Sequence, residues 1–189
     1  MDGKVIHDFM VGYIQGAKDT NPDIKVAVSM VGNYEDSAKG KDLSLAMYNA
    51  GADVGFNVAG NAGLGLIEAA AETGKYAFGV DSDQAALLPD YADYIPSSAL
   101  KNVGDALYRA IKLDMEGSLG WGTVESLGFA ENGVALVKDA HYESIVPEEV
   151  RTAVDELEEK ITNGEITVLS SNTMTTEEID ELKASVAVQ

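Results

Sequence analysis

Apolar residues recur at helical spacing through Val5, Phe9, Tyr13 and Ala17, with Met10 and Ile14 beside them, and this predicts a helix over 5–19 with one packed face. Asn21-Pro22 ends it, because the residue before a proline avoids helical geometry. The stretch DIKVAVSMV (23–31) is short and β-branched and predicts a buried strand; helical spacing returns over 35–50 and stops at Gly51. A strand over 54–58, a helix over 64–73 closed by Gly74, and a strand over 76–80 follow. The pattern loosens through SDQAALLPDYADY and then predicts a strand over 94–100 and a helix over 103–113. Beyond Gly117, the segments 123–129 and 134–137 flank Ala130-Glu131-Asn132-Gly133 and predict a hairpin, since Asn-Gly supplies the positive φ of such turns. A charged helix over 147–163, with Pro147 near its first turn and Gly164 at its end, leads through SSNTMTTEE to a short terminal helix.

Strands alternating with helices at short intervals imply an α/β fold, a parallel sheet flanked by helices on both faces. The opening helix has no strand before it, as in a sequence entered at an internal methionine.

Charge narrows the partners. The 13 Lys and Arg face 32 Asp and Glu, for a formal charge of −19. That balance repels a phosphate backbone, so no nucleic-acid partner is expected; its plain reading is a solvated, self-repelling surface. The chain has no cysteine, which excludes disulfides, thiolate chemistry and cysteine zinc sites. No stretch reaches the roughly 18 apolar residues of a membrane span, and MDGKVIHDFM carries no export signal.

The glycine-rich turn GNAGLG (60–65) invites a phosphate reading that fails residue by residue. A P-loop needs a lysine and a hydroxyl where Leu66 and Ile67 stand, and a dinucleotide fingerprint needs glycine or alanine where Glu68 stands. Two readings remain open: a ligand approaching the backbone, or tight packing of helix on strand. The neighbouring strand ends offer an aromatic in Gly32-Asn33-Tyr34-Glu35-Asp36, carboxylates in Asp81-Ser82-Asp83, and a cation in Lys101-Asn102. In a parallel sheet these turns share one edge, and their chemistry suits a polar ring compound with hydroxyls. Each also has an ordinary account: a turn aromatic, helix caps, a surface cation. His7 and His141 lie without metal-ligand spacing and read as surface or structural residues, and Asp81-x-Asp83 alone makes a poor cation site, so neither metal nor cofactor is expected.

NYEDSAKGKDLSLAMYNAGADVGFNVAGNAGLGLIEAAAETGKYAFGVDSDQ, followed by ALKNVGDALYRAI, strongly resembles the BMP family of bacterial lipoproteins, through the paired signatures AKGK…GADV and GVDSDQ…KN. The similarity runs from about Val5 to about Ile166. Members are substrate-binding proteins of ABC importers, purine nucleoside receptors being the best understood. The resemblance implies the type I periplasmic-binding-protein fold, here without most of the first lobe and without the signal peptide and lipidated cysteine of a full-length, extracytoplasmic, membrane-anchored protein. It implies a division into a second-lobe core (1–93), a hinge-crossing strand and helix normally packed on the first lobe (94–117), and a return to the second lobe with hairpin, helix and tail (118–189). It also carries over ligand contacts: Tyr34 as the base-stacking aromatic, Gly60 as the close backbone, Asp81 as the ribose-binding carboxylate and Lys101 as the cleft lysine. Asn61 departs from the second glycine common in relatives. The partners implied are a purine nucleoside and a transporter permease; Val103, Ala106, Leu107, Ala110 and Ile111, left without a first lobe, imply a homodimer or a repacking. No catalysis is implied. A cytoplasmic small-molecule-sensing regulator with the same fold, and a nucleoside-processing enzyme, are the rival readings.

Overall fold

The computed structural model describes residues 3–188 and divides into two compact units, one comprising the residues up to Ala77 together with those from Thr167 onward, the other Phe78–Ile166.

In the first unit, α1 (Lys4–Thr20) turns its apolar stripe inward, burying Val11 and Ile14. Phe9 and Tyr13 cover Phe56 of the short strand β1 (Val54–Phe56), edge-on at 6.0 Å and stacked at 5.5 Å. β1 lies beside the start of β2 (Tyr76–Asp81), the Tyr76 amide donating to the Asp53 carbonyl at 3.2 Å. Helices α2 (Ser37–Asn49) and α3 (Leu64–Thr73) pack closely on one another. Lys41 of α2 reaches Glu72 at 3.0 Å and Glu68 at 3.6 Å on α3, which gives Glu68 a structural partner. The terminal helix α8 (Thr176–Ser185) begins with a capping box between Thr175 and Glu178 and returns to α1, where Lys18 donates to Ser185 at 2.9 Å.

The segment 23–31 is not a strand. The Val26 amide donates to the Val186 carbonyl at 2.8 Å, and Val28 and Met30 remain exposed. Between this segment, α1, α2 and β1 lies a largely apolar cavity of about 250 Å³. β-branched composition supplies strand propensity, but a ladder also needs a neighbouring backbone at hydrogen-bonding distance, and here the segment stands off from β1.

Tyr48 of α2 is buried and donates to the Tyr76 carbonyl at 2.7 Å. Burial, reinforced by nearby Tyr13, pushes its phenol from 10.0 up to about 12. Because the folded value is the higher, the stabilisation is complete below the unfolded value near pH 10 and is lost as pH rises through about 12. A spectrophotometric tyrosine titration is expected to show a phenol ionising late, coincident with alkaline unfolding, and Tyr48→Phe should remove it. Loss of all phenol protons near pH 10 in a still-folded chain would contradict this burial.

In the second unit, β2 pairs in parallel with β3 (Ser98–Lys101), and β3 pairs antiparallel with β4 (Val134–Leu136). A turn of helix, α4 (Gln84–Leu87), and a 3-10 turn (Pro89–Tyr94) occupy the loosened stretch, so β3 begins later than its apolar pattern predicts. α5 (Val103–Met115), α6 (Ala140–Ile145) and α7 (Glu148–Thr162) complete the unit. Lys138 anchors α7 by pairing with Asp155 at 2.7 Å and with Glu158.

The expected hairpin forms differently. Asn132 does adopt a positive φ of 55°, but 123–129 is not a strand, and Val124 is almost fully exposed. β4 finds its partner in β3 instead, Leu100 lying opposite Ala135. An Asn-Gly turn predicts a chain reversal, while the partner of the returning strand is chosen by which backbone already presents an open edge.

Candidate functional site

Each unit assembles its own group of the residues singled out above. In the first, Tyr34 sits in a turn between the extended segment and α2. The turn is built by two short side chains. Asn33 Oδ1 accepts from the Glu35 and Asp36 amides at 2.9 and 2.8 Å, and Asp36 Oδ1 caps α2 by accepting from the Lys39 amide at 3.0 Å. The Tyr34 carbonyl is then pinned by the Ala62 amide at 2.9 Å, which brings Gly60 against the aromatic residue. Gly60 has a φ of 57°, and a Cβ there would stand 3.4 Å from both the Cβ and the carbonyl oxygen of Tyr34. Asn61 turns to Glu35, donating to Oε2 at 2.9 Å. The ring of Tyr34 stays accessible, with 38% of the residue exposed. Tyr34, Gly60 and Asn61 thus form one cluster.

The glycine-rich turn therefore divides its labour. Gly60 supplies the left-handed backbone beside Tyr34, while Gly65 is a packing residue: a Cβ on it would fall inside the Ser37 carbonyl and the Lys41 amide of α2.

In the second unit, the parallel pairing of β2 and β3 aligns Asp81 with Leu100 and so brings the ends of both strands together. Lys101 Nζ meets Asp81 Oδ1 at 2.7 Å. Both side chains are about half exposed, so this pair contributes little to stability, on the order of 0–1 kcal/mol. Asp81 is also held at a φ of 67°, a left-handed conformation that costs roughly 1–2 kcal/mol outside glycine. A strained residue in a weak surface pair points to a purpose other than stability. Asp83, by contrast, is a helix cap, accepting from the Ala86 amide at 3.1 Å. A concavity of about 420 Å³ opens in front of the pair, running from Asp81 and Ser82 across Lys101 and Asn102 to the first turn of α5.

One element of this unit was invisible to sequence reasoning. Asn102 Nδ2 donates to the Asn132 carbonyl at 3.0 Å, the Asn102 amide donates to the Gly133 carbonyl at 2.9 Å, and the Asn132 side chain reaches Asp105. The turn at 128–133 thereby braces the end of β3 beside Lys101. The Asn132-Gly133 pair was the available signal, although it indicated only the turn.

Among the described residues no group of three or more His, Asp and Glu side chains converges as a metal site. His141 faces the Ala92 carbonyl at 2.9 Å, the setting of a structural histidine.

Residues 1–172 match the model of the Bmp family, described as PnrA-like ABC transporter substrate-binding proteins. The chain is 40% identical over 145 residues to basic membrane protein D of Borreliella burgdorferi, covering 75% of this chain and 42% of that protein. It is 33% identical over 185 residues to the ABC transporter nucleoside-binding protein BmpA of Lactococcus lactis, covering 90% of this chain and 51% of that protein. Among solved structures, an ABC transporter solute-binding protein of Aeropyrum pernix superposes with a TM-score of 0.77 at 26% identity, over 98% of this chain and 60% of that one. A transcriptional activator of the comK gene from Bacillus halodurans superposes with a TM-score of 0.69 at 26% identity, over 79% of this chain and 50% of that one. The chain thus spans about half the length of the curated relatives it matches. The α/β architecture, a mostly parallel sheet flanked by helices, is that of the solute-binding proteins.

Proposed function

Since the chain belongs to the family of PnrA-like ABC transporter substrate-binding proteins, we propose that it is part of a receptor that delivers a purine nucleoside to a membrane permease, without chemistry on the ligand. The observation that carries this reading is the Asp81–Lys101 pair, strained and half exposed at the aligned ends of two parallel strands. A ribose hydroxyl donates to the Asp81 carboxylate in a charge-assisted hydrogen bond, and the ammonium of Lys101 keeps that carboxylate oriented. Within the first unit by itself, the accessible ring of Tyr34, with Gly60 beside it, is an apolar plate on which a purine can stack. The nucleoside-binding relative from Lactococcus lactis supports the choice of ligand class. The basic membrane proteins among the relatives support an extracytoplasmic, membrane-anchored setting. Among the described residues no helix is long and apolar enough to cross a membrane.

Titration of the isotopically labelled chain with inosine and with hypoxanthine, followed by NMR, tests these assignments and detects even weak binding. Inosine is expected to shift the amides around Tyr34 and those around Asp81 and Lys101, whereas hypoxanthine, lacking ribose, should shift only the first set. Tyr34→Ala should weaken both ligands by roughly 1–3 kcal/mol, the usual loss of a base–aromatic stack. Asp81→Asn should weaken inosine far more than hypoxanthine; equal losses would remove Asp81 from the ribose, and no shifts with either ligand would refute the nucleoside.

The likeness to the transcriptional activator from Bacillus halodurans favours one second reading, a regulator that senses a small molecule on the same fold. Fractionation of the native cells separates the two: the receptor partitions with the membrane, the regulator with the cytosol.

A further inference from the structure

Among the described residues, two besides glycine hold a positive φ: Asp81 at 67° and Asn132 at 55°. Both belong to the second unit, and both bear on one concavity. Asp81 lines it, while Asn132 is bonded to two other residues that line it, Asn102 and Asp105. The backbone carbonyl and Oδ1 of Asn132 both accept from Asn102 Nδ2, at 3.0 and 3.2 Å, and its Nδ2 donates to Asp105 Oδ2. Asn102 forgoes its usual task to make this contact. It is the N-cap of α5, a position where asparagine is favoured because its oxygen accepts a helix amide, yet no side-chain cap forms. Two departures from local preference thus serve one clasp, a pattern expected where structure is held for use. The turn that carries Asn132 is itself fixed: the Asn132 amide donates to the Phe129 carbonyl at 3.0 Å, the Gly133 amide to the Gly128 carbonyl at 2.9 Å, and the Gly128 amide to Glu131 at 2.9 Å. β4 then sets Val134 opposite Lys101.

We propose that Asn132 is a positioning residue for the ligand site, holding Asp105 so that Lys101 stays with Asp81. Lys101 shares the concavity with two carboxylates, Asp81 at 2.7 Å and Asp105 four residues along the chain. Its ammonium is a point charge on a flexible stem and goes to the carboxylate that offers it more. A carboxylate already accepting a hydrogen bond offers less. With the Asn132 amide in place, Asp105 has a partner of its own and Asp81 keeps the ammonium. Without that amide, Asp105 draws Lys101 across, and Asp81 loses the group that orients it. This inference rests on the reading of Asp81 as the ribose-binding carboxylate, but its first test needs no ligand.

NMR of the labelled 189-residue chain reads the Asp81 carboxyl carbon, whose shift depends on its ammonium partner, and Lys101→Met gives the value without one. In Asn132→Gly, which suits a positive φ and keeps the turn, the Asp81 signal should move more than half of the way to its Lys101→Met position. Asn132→Asp, of the same shape, sets a carboxylate against Asp105 and should do the same. Adding Asp105→Asn to Asn132→Gly should return the signal to that of the parent, because the competitor for Lys101 is gone; a merely structural role predicts no such rescue. Inosine should follow, its affinity about tenfold weaker in Asn132→Gly, the worth of one charge-assisted hydrogen bond, and within a few-fold of the parent in the double variant. Hypoxanthine should be unaffected throughout. An Asp81 signal unmoved in Asn132→Gly overturns the proposal, as does a failure of Asp105→Asn to restore it. A parent chain that binds no inosine refutes the nucleoside reading instead, and the carboxyl signals still decide the role of Asn132.

Discussion

Gly65→Ala is expected to destabilise the first unit by about 3–5 kcal/mol, a large share of the ~5–15 kcal/mol of an ordinary domain. The physical cause is the line of approach between α2 and α3. The Cα of Gly65 faces backbone of α2, where an added methyl would overlap the Ser37 carbonyl and the Lys41 amide. A clash against a flexible side chain relaxes by a change of rotamer, but backbone on a hydrogen-bonded helix yields only if the helix moves. Movement of α2 would in turn draw on the burial of Ser44 and Tyr48. Gly16→Ala supplies the contrast, since nothing lies within 4 Å of a Cβ there and the position is inside α1. It should be neutral or stabilising by about 0.5–1 kcal/mol, through helix propensity alone. Chemical denaturation of the two variants measures both effects, and a Gly65→Ala protein as stable as the parent would show that α2 and α3 are not held at backbone contact.

The second large effect is expected at Asp8. Its carboxylate, on α1, gathers the turn that leads into α8. Oδ1 accepts from the Ser171 amide at 2.6 Å, from Ser171 Oγ at 2.8 Å and from Ser170 Oγ at 3.0 Å, and Oδ2 accepts from Asn172 Nδ2 at 3.0 Å. Ser171 is buried, and its hydroxyl also lies 3.0 Å from the Lys4 carbonyl. Asp8→Ala should therefore cost about 2–4 kcal/mol, combining the loss of charge-assisted bonds with a buried amide left without its acceptor. Asp8→Asn keeps one acceptor oxygen but replaces the other with a donor facing the Asn172 amide group, so an intermediate loss is expected. Equilibrium denaturation gives the free energies, and hydrogen exchange at the Ser171 amide locates them. Unchanged protection at that amide in Asp8→Ala would sink the account.

Much of this molecule was legible from residue order because much of it is decided by neighbours in sequence. α1, α2, α3, α5 and α7 match their hydrophobic periodicity closely, since a helix satisfies its own backbone and needs only an apolar stripe to dock. The strands fared according to how much they depend on others. β1 and β2 formed within or close to the strands expected over 54–58 and 76–80, whereas 23–31, the richest β-branched stretch, has no ladder, and the strand expected over 123–129 is absent. α6 and the 3-10 turn at Pro89–Tyr94 were too short for any periodicity to register.

The candidate site divides along the same line. Residue order placed Tyr34, Gly60, Asp81 and Lys101 in turns, each with an ordinary account beside a ligand-binding one, and it excluded phosphate motifs around 60–65, because those motifs are defined by which residue follows which. Sequence also sufficed for the acidic surface and for the absence of thiol chemistry. Only the tertiary structure separated Gly60, a left-handed residue beside an aromatic ring, from Gly65, a packing glycine, and only it made Asp81 a strained partner of Lys101 while leaving Asp83 a helix cap. The reason is that a glycine or a carboxylate has the same local propensities in either role. What distinguishes the roles is the distance to atoms far along the chain, and that distance is set when strands and helices pack.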